Sequence, residues 1–118
     1  MGKEANINTI INKLMIILGI IEMINKYSKA SSNFEILDGK ETISEKYQCG
    51  VDALDIIYIY STPELDEKYT EIKTFFASLK DILNIKELAV WHSRLGIIST
   101  HCDSINRLIR LEILPKLQ

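Results

Sequence analysis

Between Trp91 and Asp103 the chain reads WHSRLGIISTHCD. This stretch holds the only tryptophan, both histidines and one of the two cysteines. Arg94, Asp103 and the hydroxyls of Ser93, Ser99 and Thr100 lie among them. Such side chains offer proton transfer by imidazole and stabilisation of developing negative charge by guanidinium. Whether they act together depends on the element that carries them. Apolar residues recur at Leu88, Trp91, Leu95, Ile98, Cys102, Ile105 and Ile109, the spacing of an α-helix buried along one side. At about 100° per residue, His92, Gly96, Ser99, Asp103 and Arg110 fall on one flank of that stripe. Arg94, His101 and Leu108 fall on the other. The two histidines therefore sit on opposite flanks and cannot share a metal ion without help from other helices.

Six residues separate Arg94 from His101. This is similar to the R-x(4–6)-H motif of HEPN ribonucleases. The resemblance implies a small all-α domain in which Arg94 and His101 act, without a metal, on an RNA phosphodiester across a dimer. The residue after the arginine in those enzymes is usually polar, often Asn; here it is Leu95, on the core stripe. The aromatic residue shortly after the histidine is replaced by Cys102-Asp103. The competing reading is an exposed arginine and a histidine at the edge of the core. On the other flank, His92 followed by Gly96 resembles phosphotransfer bundles, where a small residue four positions after the histidine admits a response-regulator domain. Their Leu-Lys-Gly order is Arg94-Leu95-Gly96 here. The competing reading is a surface histidine with a glycine at a close-packed contact.

Ser99, His92 and Asp103 could be written as a triad, but a helical serine has neither the sharp turn nor the oxyanion site it would need. No glycine-rich phosphate loop is present, and Glu22, Asp52, Asp55 and Glu112 lack Glu-x-x-His spacing. No metal and no cofactor is expected. Cys49 and Cys102 match no CxxC pattern and read as free thiols in a reducing compartment, with one helix-joining disulfide as the alternative. The aromatics Tyr47, Tyr58, Tyr60, Tyr69, Phe75 and Phe76 fall mainly at packing positions. Glu64, Asp66, Glu67 and Glu71 form an acidic patch at a helix start. They complement the helix dipole, and they are candidate binding residues for a basic protein partner.

The frame around this stretch is one domain spanning residues 1–118. The spacing predicts four helices at about 5–28, 40–61, 63–83 and 85–114 and an all-α, four-helix antiparallel bundle. The first carries Ile7, Ile10, Leu14, Ile17, Ile21 and Ile24 on one face. Ile16, Ile20, Met23 and Tyr27 lie nearly opposite. Such a helix is either central to the domain or shares its second face, Ile16, Ile20 and Met23, with another subunit. Asp38 with Glu41 is the expected start of the second helix. Thr62-Pro63 starts the third, and Asn84 with Glu87 the fourth. The alternative is α+β, with short strands near 34–43 and 55–61, because Asp38-Gly39 suits a hairpin and DIIYIYS is rich in β-branched and aromatic residues.

A formal net charge of -2 offers no basic excess for nucleic acid. The apolar run LMIILGII is bounded by Asn12-Lys13 and Glu22, which argues against a membrane span. The expectation is a cytoplasmic, non-catalytic helical protein that binds another protein, as immunity, inhibitor and antitoxin proteins do, with homodimer formation as a further option. The alternatives are the ribonuclease using Arg94 and His101, and phosphotransfer through His92.

Overall fold

The computed structural model describes residues 3–117, with side chains from residue 7. Every regular element among them is helical: α1 (Lys3–Ser28), α2 (Asn33–Ile59), α3 (Pro63–Ile82), α4 (Leu88–Ser99) and α5 (Cys102–Arg107). A π-helical stretch (Leu108–Ile113) and a last turn, α6 (Leu114–Leu117), follow. The chain measures 48 × 24 × 19 Å, a long axis set by the longest helices.

No strand forms among the described residues. Segments 34–43 and 55–59 both belong to α2, and this corrects the α+β alternative. α2 also begins well before the expected cap at Asp38. Ser32 is the N-cap, and its hydroxyl accepts from the amide of Glu35 at 3.1 Å. The Asp38-Gly39 pair is then helix interior. Ile36, Ile43, Gly50 and Ile57 recur every seven residues and are buried, so tertiary packing overrides the β preference of DIIYIYS.

The helix predicted at 63–83 is present with Pro63 in its first turn, although the Thr62 hydroxyl makes no capping bond. The fourth predicted helix starts at Leu88 rather than 85, and it is not continuous. At its first break, Ser99 donates its hydroxyl to the carbonyl of Gly96 at 2.8 Å, and Thr100 to that of Ile97 at 2.6 Å. The backbone amides of Thr100 and His101 bond three residues back, to Ile97 and Ile98. Side-chain and tightened backbone bonds thus satisfy the carbonyls that a continuing α-helix would use. Further on, Pro115 has no amide to bond back to the preceding turn, and the chain widens into π form just ahead of it.

Contacting pairs run in opposite order along neighbouring helices. Tyr27 meets Gly39 while Ile20 meets Gly50, so α1 and α2 are antiparallel. Tyr58 meets Tyr69 while Tyr47 meets Phe76, so α2 and α3 are too. Lys68 pairs with Glu112 and Lys116 with Glu64, which ties the end of the chain antiparallel to α3. Gly39 and Gly50 allow the closest approaches: a methyl group on Gly39 would sit 2.8 Å from Cβ of Tyr27, and one on Gly50 2.8 Å from Cδ1 of Ile20.

One contiguous apolar core runs through all of these elements, with Leu14, Ile17, Ile43, Ile57, Tyr69, Ile72, Leu79, Trp91, Leu95 and Ile109 deep inside. α1 is long and apolar enough over Ile7–Ser28 to cross a bilayer. In this structure Ile10, Leu14, Ile17, Leu18, Ile20, Ile21 and Ile24 are buried against the other helices.

Candidate functional site

The Trp91–Asp103 stretch folds as the phasing requires, up to the break after Ser99. Trp91, Leu95, Ile98 and Cys102 are buried in the core, and the two flanks separate. One flank faces α1. There His92 is half-buried with Nε2 3.3 Å from the carbonyl oxygen of Tyr27, a bond that the Nε2–H tautomer donates. Gly96 is not a close-packed contact: a methyl group there would meet nothing within 4 Å. Farther along, Glu22, Asn25, Ser99, Asp103, Asn106 and Arg110 line a polar groove of about 200 Å³. Arg110 reaches Glu22 at 3.8 Å and Asn106 Oδ1 at 3.1 Å, and Asp103 pairs with Arg107 at 3.5 Å. Ser99, His92 and Asp103 are each engaged elsewhere and do not form a triad.

The other flank faces solvent beside α3. Val90, Arg94, Ile97 and His101 follow one another at helical spacing, and all four are exposed, Ile97 at 58%. His101 stands at the break between α4 and α5. It forms one rim of a cleft of about 220 Å³ with Ser104, opposite Glu71, Thr74 and Ser78 of α3. Phe75, Ile98 and Ile105 line the rest, so the floor is apolar. The hydroxyls of Thr74 and Ser78 donate within α3, to the carbonyls of Thr70 and Thr74. Toward the cleft they present oxygen lone pairs, which with the Glu71 carboxylate make the α3 rim an acceptor row. Periodicity could not show this cleft, because it depends on α3 and the α4 break lying side by side.

The acidic patch divides. Glu64 is bonded to Lys116, which holds its carboxyl below the usual range. Asp66 accepts from the Ser61 hydroxyl. Glu67 and Glu71 are exposed and act through space on Lys68, whose bond to Glu112 raises its affinity for protons. The patch is therefore interleaved with cations, and Glu71 belongs to the cleft. Of the second α1 face, Ile20 is buried against α2 and Met23 is half-buried, whereas Ile16 stays exposed beside exposed Met15.

Cys49 is exposed on α2 and Cys102 is buried in α5; both are free thiols. Burial pushes the Cys102 thiol up to about 11. Among the described residues, no three His, Cys, Asp or Glu side chains converge on a metal position. Comparison with protein-family models, with curated proteins and with solved structures finds no match.

Proposed function

We propose that this chain is a non-catalytic, cytoplasmic protein, a four-helix bundle with an interrupted last helix, that acts by binding another protein in the manner of immunity, inhibitor or antitoxin proteins. The observation that carries this reading is the solvent-facing surface of α3 and α4. Val90 and Ile97 are apolar and uncovered there, Arg94 and His101 lie among them, and an apolar-floored cleft opens alongside. An apolar centre with a polar rim is the anatomy of a protein-binding surface. The test is affinity capture from the source organism with the wild-type chain and with Ile97→Asp. The expected result is a partner retained by the first and lost by the second. Equal capture by both chains would remove this surface from consideration.

A second reading is a ribonuclease using Arg94 and His101. It is favoured by their shared exposed flank and by the cleft at His101. RNA cleavage abolished in both Arg94→Ala and His101→Ala would support it, and no cleavage of any RNA by the wild type would end it.

A further inference from the structure

The α3–α4 surface is complementary to itself, and we infer that its occupant is a second copy of this chain. This deepens the protein-binding reading and rests on the same surface. Two rows run along the cleft and on past it, Asp81, Arg94 and Ile97 lying beyond its lining. On α3, Glu71, Thr74, Ser78 and Asp81 follow one another at three- and four-residue spacing and are exposed. They offer two carboxylates and two hydroxyl oxygens whose own protons are already bonded within α3. On α4 and the break after it, Arg94, Ile97 and His101 follow one another in the same way. They offer donors at both ends and an apolar side chain between them.

The rows are in register. Glu71, Thr74 and Ser78 line the same cleft as Ile98, His101 and Ser104, and the two elements run antiparallel. Glu71 thus stands near the level of Ser104, His101 near Thr74, and Ser78 near Ile98. Asp81 lies one turn beyond Ser78, and Arg94 one turn before Ile98, so those two also share a level.

A two-fold axis parallel to the cleft lays α3 of one copy over α4 of the other and leaves every level unchanged. Arg94 of each copy then faces the acceptors Asp81 and Ser78 of the other. Ile97 settles over Ser78 and the exposed, small Ala77. His101 faces Thr74, one turn from Glu71. Each contact occurs twice, so weak individual pairs add up. Arg94 has no ion-pair partner within its own chain among the described residues, and its guanidinium is available for this role.

The experiment is light scattering on the purified chain across a concentration series, with circular dichroism to confirm that each variant keeps its helix content. The wild type is expected to approach twice the chain mass of 13.5 kDa. Ile97→Asp is expected to run as a monomer. Arg94→Glu should weaken association on the order of tenfold, because the reversed charge opposes Asp81 in both halves. Adding Asp81→Arg to Arg94→Glu should restore it. A wild type that stays monomeric at every concentration overturns the inference. So does a dimer that both single variants leave intact, or a charge-swapped double variant that fails to recover. A monomer that still loses a captured partner on Ile97→Asp refutes the second copy and leaves the protein-binding reading standing.

Discussion

At the scale of single residues, two glycines in similar helical settings predict opposite outcomes. Gly39 is buried with the Tyr27 side chain against it, and the nearest clash of an added methyl is with the Cβ and ring root of Tyr27, atoms that cannot swing aside. Gly39→Ala should therefore cost about 1–3 kcal/mol from overpacking, more than the helix propensity of alanine returns. Gly96 has open space at the same position, so Gly96→Ala should add about 0.5–1 kcal/mol. Urea midpoints at constant slope would check both signs. Cys102 predicts a pH response. Its thiol ionises near 11 in the folded chain, above the ordinary value of 9.0, because burial disfavours the thiolate. A raised value means the folded state holds its proton longer, so this contribution is complete below pH 9 and is lost as pH rises toward 11. Tyr69, pushed up to about 12 by burial and then by the Asp66 carboxylate on the same helix, acts in the same sense from pH 10 upward. Urea unfolding at pH 8 and above should show stability falling on the order of 2 kcal/mol by pH 11, with a shallower fall in Cys102→Ala.

At the scale of elements, α3 was legible because cap, proline and stripe all point to one start and one face. α2 was legible as a helix and misleading in its start. Ser32-x-x-Glu35 and Asp38-x-x-Glu41 are both capping patterns, and sequence alone offers no way to choose. The choice is made by packing: Ile36 is buried in the core and Gly39 against Tyr27 of α1, which requires helix through Asp38-Gly39. Ser32→Ala should then lower stability by about 1 kcal/mol, and Asp38→Ala should leave the helix start unchanged, as amide exchange at residues 33–37 would report. The break after Ser99 had a fainter signal. Consecutive Ser99 and Thr100 hydroxyls can bond back to the preceding turn, but such pairs also occur in unbroken helices. The same limit applies to the candidate site. The separation of His92 from His101 follows from phasing alone, whereas the cleft at His101 depends on where α3 lies, which no local pattern encodes.

At the scale of the molecule, the question is whether these helices form one cooperative unit. α1 packs against α2, α4, α5 and α6, and the buried side chains of every long helix join a single cluster. The polar ties reinforce this connectivity: Lys116 to Glu64 and Lys68 to Glu112 fasten the last residues of the chain to α3. These pairs are largely exposed and contribute little energy by themselves, so the shared core must carry the cooperativity. Trp91 reports on that core directly, being the only tryptophan and fully shielded from solvent. In the folded chain its fluorescence should be emitted at short wavelength and resist iodide quenching. During urea unfolding, tryptophan exposure and loss of helical circular dichroism should share one midpoint. An earlier loss of helix, with Trp91 still shielded, would mean that some elements detach while the centre holds. The exposed start of α2 is where that would begin, since Phe34 there is 83% exposed and adds little to the core. Repeating the comparison with Ser32→Ala separates the cases: a single unit shifts both probes together, whereas a detachable α2 end shifts only the dichroism.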